Sequence, residues 1–128
     1  MVFKGSLIQV GDNSGGKIVK CINIFNKENW GTLGSLLLVT LVKFSQGKKV
    51  KKKQFYLGLL VRIRYWSYRS TGFYIKFKVN SILLYTLQFK FLGSRILGIV
   101  DSQFKIYSIN YRDIRFSYKM LGFSCKVI

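Results

Sequence analysis

Between Leu7 and Leu87 the chain alternates short apolar, β-favouring runs with clusters of turn-forming residues. The runs are 7–10, 17–25, 35–44, 55–64, 73–78 and 82–87. They are rich in Val, Ile, Leu and aromatics and are bounded by Gly, Ser, Asn or Lys, the pattern of strands and not of helices. The stretch Gly11-Asp12-Asn13-Ser14-Gly15-Gly16 is turn chemistry. Glycine accepts positive φ, and Asp, Asn and Ser side chains bond their own backbone. In the run after it, Ile18, Lys20, Ile22 and Ile24 alternate with Val19, Cys21, Asn23 and Phe25, so strand, turn and strand predict a hairpin. Residues 26–31 read as a loop, and so do residues 65–72. Five to six short strands without helical crossovers predict a small closed barrel. After Val100 the spacing of Ile106, Ile109, Ile114, Met120 and Leu121 changes towards helical, predicting one or two short helices between Asp101 and Leu121. A chain of 128 residues suits one domain. We expect a mainly β fold, with the barrel over residues 1–100 and a partly helical C-terminal extension of the same domain over 101–128.

Charge decides what such a barrel can do. The chain carries 22 Lys and Arg against 4 acids, a net charge of +18. That charge is comfortable only beside a polyanion, either nucleic acid or an anionic membrane surface. With 49% hydrophobic residues the chain is no disordered basic tail, and the charge should stand on a fixed surface. The membrane alternative is weaker, because the bases cluster in a loop and among strands instead of along an amphipathic helix. The longest uncharged stretch, 29–42, is shorter than the roughly 20 apolar residues of a spanning helix. It reads as a buried strand, so no membrane insertion is expected. Residues 1–5 show neither an apolar signal core nor an Arg-rich presequence. Alanine and proline are absent, and Phe, Tyr, Ile, Leu and Lys abound. This bias resembles translation of an AT-rich genome, such as that of an organelle.

Enzyme chemistry finds no foothold. Gly11, four residues, Gly16 and Lys17 reproduce most of a phosphate-binding P-loop. The next residue, Ile18, cannot hold magnesium, and a β-branched run follows where a helix should open. The acids Asp12, Glu28, Asp101 and Asp113 show no catalytic spacing. With no His, the Ser/His/Asp and Cys/His systems are absent. Cys21 and Cys125 cannot supply the four ligands of a zinc site and read as reduced, buried thiols. We expect no enzyme, no cofactor and no metal.

The segment Lys43–Lys78 holds eleven Lys and Arg, no acid and nine aromatics. Lysines neutralise phosphates and release counterions, while aromatic rings and Arg planes stack on unpaired bases. Where aromatics alternate with Lys, the rings can equally be core and the Lys a solvated face. That reading is taken for Phe55, Phe73 and Phe77. RNA contact is taken for Lys48, Lys49, Lys51, Lys52 and Lys53 in the loop 45–54, because no acid balances them. Tyr65, Trp66 and Tyr68, in the second loop, are candidates for stacking on RNA or for contact with a protein.

Three ordered motifs resemble the universal L-fourteen family of large-subunit ribosomal proteins. The first is Val10-Gly11-Asp12-Asn13-Ser14-Gly15-Gly16 followed by Val19-Lys20-Cys21-Ile22. The second is Gly58-Leu59-Leu60-Val61, nine residues, Thr71-Gly72, then Phe77, Asn80 and Leu83-Leu84. The third is Gly93-Ser94-Arg95-Ile96-Leu97-Gly98-Ile99-Val100. The sequence departs from the family pattern at Thr71, Leu83 and Ile99, and residues 101–110 look lengthened. The resemblance implies a five-stranded barrel with a small helical C-terminal part. It also implies binding to large-subunit rRNA near the subunit interface, contact with neighbouring large-subunit ribosomal proteins, and bridges to small-subunit rRNA. In several systems the same surface receives a subunit anti-association factor. By position, rRNA contact is carried to the lysine loop and to Arg62, Arg69 and Arg95, with Arg64 beside them. Asp12, Asn13, Ser14 and Gly15 are expected to form a structural turn. The amino-acid bias then points to a mitochondrial ribosome, with plastid or bacterial ribosomes as alternatives. The competing function is a free-standing single-strand binder or RNA chaperone.

Overall fold

In the computed structural model, residues 1–25, 28–45, 49–103 and 124–128 are described, with only the main chain for 124–127. Among the described residues nine strands follow in order: β1 (Leu7–Val10), β2 (Gly16–Ile24), β3 (Leu36–Phe44), β4 (Phe55–Arg62), β5 (Ser67–Tyr68), β6 (Tyr74–Ile75), β7 (Ser81–Tyr85), β8 (Ile96–Val100) and β9 (Ser124–Val127). Strands β1, β2, β3, β4 and β7 close into the expected five-stranded barrel. Its pairs are antiparallel except the closing seam, where β1 runs parallel to β7. The predicted helices between Asp101 and Leu121 fall mostly on residues 104–123, outside the described residues.

Simple alternation does not survive in β2. Its buried residues are Gly16, Val19, Cys21 and Ile24, and register shifts lie at Gly16/Ile18, Ile18/Val19 and Cys21/Asn23. Each bulge adds a residue to one strand and re-phases the inward face. Ile24 is therefore in the core and Phe25 out of it. Strands β4 and β7 are buried on both faces from Tyr56 to Val61 and from Ser81 to Tyr85. That is why they read as unbroken apolar runs. Later chain covers their outside: Phe91 and Leu92 pack on the core, Ile96 and Val100 are fully buried, and the Tyr85 and Phe91 rings lie 5.3 Å apart. Gly58 fits because a Cβ there would stand 2.6 Å from Cδ1 of the buried Ile82.

Two expectations need correction. The stretch expected as a loop at 65–72 contains a short strand: Ser67 and Tyr68 pair with Ile75 and Tyr74 in a two-stranded hairpin. Phe55 and Phe73, expected in the core, are 52% and 71% exposed, and Phe77 is half-buried. The barrel is already filled by Leu, Ile and Val, so these rings stay outside.

Candidate nucleic-acid interface

Strand directions sort the connections to two ends of the barrel. At one end lie the 11–15 turn, the 45–54 loop and the residues that follow β7. At the other lie the N-terminal residues, the β2–β3 loop and the β5–β6 hairpin.

The first end is built on Asp12 and Asn13. Asp12 Oδ1 accepts the Ser14 N–H at 2.9 Å and the Ser14 hydroxyl, and its Oδ2 accepts the Leu84 N–H of β7 at 2.8 Å. Burial raises the carboxyl's pKa, and these hydrogen bonds oppose the rise. Asn13 Oδ1 accepts the N–H groups of Ser94 at 2.8 Å and Arg95 at 3.2 Å, and its Nδ2 donates to Ser94 Oγ at 2.8 Å. Gly15 takes φ +105°. Gly93 is needed because a Cβ there would lie 2.9 Å from Asn13 Oδ1 and 3.1 Å from Asp12 Cβ. The first and third sequence motifs therefore meet in space, and Asn13 fixes the backbone from which Arg95 projects.

The lysine loop leaves the barrel beside this turn, where Ser45 N–H donates to Gly15 O at 2.8 Å. Lys48 lies outside the described residues. Lys49, Lys51, Lys52 and Lys53 are all exposed, while Val50 among them is buried. The buried Tyr56 holds the loop from below. Its hydroxyl accepts the Lys51 N–H at 2.8 Å and lies 3.0 Å from Gln54 Oε1, to which it donates. Lys53 has φ +62°, which completes the turn back into β4. Val50 and Tyr56 were missed as site residues; the lone Val inside a lysine run was the signal. Lys17, Lys43, Lys90 and Arg95 are exposed at the same end.

From this end β8 crosses the outside of the barrel towards the hairpin end. Leu97 N–H donates to Gly11 O, and Arg62 Nη2 donates to Leu97 O at 2.7 Å. Arg62 is half-buried, and burial lowers the guanidinium's pKa from its ordinary value. Arg69 is pinned as well. It pairs with the buried Asp101 and donates to Ser102 Oγ at 3.1 Å and to an Ile128 oxygen at 2.8 Å. Ser67 Oγ donates to Gln103 Oε1 at 2.9 Å. Side chains alternate along a strand, so Ser67 and Arg69 tie the hairpin down while Tyr68 faces out. Tyr65, Trp66, Tyr68, Phe73 and Tyr74 are 50–71% exposed. Tyr74 makes edge contacts with Trp66 at 6.3 Å and Tyr68 at 5.2 Å, and Lys76 Nζ sits 5.2 Å over the Trp66 ring. Arg64, exposed, has its backbone N–H held by Asn80 Oδ1 at 2.7 Å.

The site residues thus fall into two groups, with Arg62 between them. The lysine loop, the 12–15 turn and Arg95 come together. Arg64, Tyr65, Trp66, Tyr68 and Arg69 lie apart from them. Arg62 reaches Leu97 and stands beside Gly11 at the start of the turn, and both Arg62 and Arg69 are committed to internal partners. Among the described residues, two of the acids, Asp12 and Asp101, are buried, and Glu28 alone is exposed. Thirteen described cations are exposed. Cys21 is a buried, unpaired thiol whose pKa burial raises, while the Cys125 side chain lies outside the described residues. Among the described residues no group of His, Cys, Asp and Glu could hold a metal ion, and no helix is long and apolar enough to cross a membrane.

The chain matches the family described as ribosomal protein L14p/L23e over residues 1–114. It is similar to the large ribosomal subunit protein uL14 of Carsonella ruddii (strain PV), with 32% identity over 107 residues that span 82% of this chain and 88% of that protein.

Proposed function

The chain belongs to the ribosomal protein L14p/L23e family, and on that footing we propose that it holds large-subunit rRNA through the lysine-loop end of the barrel. It is a structural constituent of the large ribosomal subunit and not an enzyme. One observation carries the finer reading: thirteen exposed cations face solvent against one exposed acid among the described residues. Such a surface repels itself, and phosphates that neutralise it relieve that repulsion. Lys49, Lys51, Lys52 and Lys53, with Lys48, are the proposed phosphate contacts, and Arg95 stands beside them. Arg64 is proposed as a further rRNA contact, and the exposed Tyr65, Trp66 and Tyr68 are proposed to meet unpaired bases or a neighbouring ribosomal protein. Arg62 and Arg69 would reach rRNA only with guanidinium nitrogens left over from their internal bonds. Residues 1–100 and 101–128 act as one RNA-binding domain and its extension. A place near the subunit interface, bridges to small-subunit rRNA and reception of an anti-association factor belong to the same proposal. The amino-acid bias supports a mitochondrial ribosome, with plastid and bacterial ribosomes as the alternatives.

Two measurements test this. On a sucrose gradient the protein should sediment with large subunits, and mass spectrometry of those fractions identifies the compartment and the neighbours. Recovery only in free or membrane fractions would overturn the reading. Exchanging Lys48, Lys49, Lys51, Lys52 and Lys53 for Gln should flatten the salt dependence of RNA binding, each lost contact changing the log–log slope by roughly 0.7–0.9. An unchanged slope would remove the loop from the interface.

A further inference from the structure

The barrel's closing seam is incomplete. Strand β1 pairs with β7 only at Gln9↔Ser81 and Val10↔Ile82, so Leu7 lies beyond the start of that register. A cleft of about 280 Å³ opens there, lined by Leu7, Ile8, Gln9, Ile18, Arg64, Lys78, Val79 and Asn80. We infer that this cleft receives one unpaired nucleotide of an RNA strand, its base against Leu7, Ile18 and Val79 and its phosphate between Arg64 and Lys78. The inference rests on the RNA-binding reading above and extends it to a residue set on a different part of the barrel.

Four observations favour this occupant. Leu7 and Val79 are 62% and 36% exposed, an apolar surface that a base face can cover. Arg64 and Lys78 are exposed, no acid lines the cleft, and the single ion pair among the described residues is Arg69–Asp101, so both cations are available to a phosphate. The polar groups suit a base edge. Gln9 offers an exposed amide, and Asn80, whose Oδ1 is occupied by the Arg64 N–H, keeps its NH₂ as a donor. The volume sits near the lower end of ligand-sized cavities, roughly 300–1,000 Å³, which suits a single nucleotide. Paired bases cannot enter, because a duplex stacks them inside the helix and only an unpaired base can be splayed out.

The test uses the full chain and two probes, an unstructured oligouridylate and a blunt RNA duplex, with binding followed by fluorescence anisotropy over a range of salt. The Leu7→Ser/Val79→Ser variant alters only exposed side chains, and its melting temperature is checked first. It should bind oligouridylate about tenfold more weakly, in line with the apolar area that Leu7 and Val79 would no longer offer a base, at an unchanged salt slope and with duplex affinity unaltered. Arg64→Gln/Lys78→Gln should lower the oligouridylate slope by about 1.4, two single-strand contacts at roughly 0.7 each. Undiminished oligouridylate binding by the first variant, or an equal loss on the duplex, overturns the cleft assignment alone. Failure of the unaltered chain to bind either RNA in a salt-dependent way overturns the RNA reading together with it.

Discussion

The two ends of the barrel present charge by different physics. At the lysine-loop end, exposed cations ride on backbone that is tied internally: Asp12 to Leu84, Asn13 to Ser94 and Arg95, Tyr56 to Lys51. At the hairpin end, Arg69 is spent on Asp101, and what faces out is mostly rings. A fixed array of ammonium groups suits phosphates and should respond to salt. Exposed rings suit bases and should not. A charge-rich sequence segment thus separates into a loop whose described cations all face out and a part where Arg62 and Arg69 hold the fold while Arg64, Lys76 and Lys78 stay exposed.

The sharpest way to break this division is to remove Arg69. Its side chain is 14% exposed and that of Asp101 is 1% exposed. Arg69→Met leaves a buried carboxylate without its cation and should cost about 3–5 kcal/mol, as breaking one side of a buried pair does. Replacing Asp101 with Leu as well should restore part of it. Denaturant unfolding measures both, and a loss under about 1 kcal/mol in the single variant would mean the pair is exposed and Arg69 free for RNA.

Next in size is the scaffold of the opposite end. Asp12→Ala strands the buried Leu84 and Ser14 N–H groups and should cost about 2–4 kcal/mol. The same carboxyl carries a pH signature. Burial raises its folded pKa above the ordinary 3.8, so between those two values the folded chain binds more protons than the unfolded chain. The stability owed to Asp12 therefore falls as pH rises through that window. Asp12→Asn should remove this component from a plot of melting temperature against pH; an identical plot would show that the carboxyl is not desolvated.

Smaller again is Tyr56→Phe, which deletes the hydroxyl under the lysine loop without touching a charge. It should cost about 0.5–1.5 kcal/mol of stability and weaken RNA binding several-fold, because four exposed lysines lose their fixed positions. Full affinity in this variant would show that the loop's charge suffices without its anchoring.

How much of this was legible follows from range. The closed barrel, the 11–16 turn and the basic loop show in local patterns, because strand alternation and turn chemistry act over a few residues. The re-phasing of β2 does not, since a bulge depends on the partner strand. The commitment of Arg69 to Asp101, 32 positions away, cannot show in charge counting, which treats every base as exposed. Phe55 and Phe73 were misplaced for a related reason: alternation gives two faces and does not say which is covered. Here the outside of β4 is covered only beyond Phe55, from Tyr56 onward.

The smallest expected effect on folding divides the two ends most cleanly. Trp66 is 58% exposed, and its contacts are an edge to Tyr74 and Lys76 above its face. Removing an exposed ring with one cation–π partner should change stability by no more than about 0.5–1 kcal/mol. If the hairpin meets unpaired bases, Trp66→Ala loses one stacking face, worth about 1–3 kcal/mol of affinity. No phosphate contact is lost, so the log–log salt slope should stay where it was, whereas the lysine-loop variant shifts the slope. Titrations of both variants against one single-stranded RNA at several salt concentrations decide the matter. Parallel displacement for Trp66→Ala and a changed gradient for the lysine variant would establish separate base and phosphate surfaces. No displacement for Trp66→Ala would leave the rings to a protein neighbour.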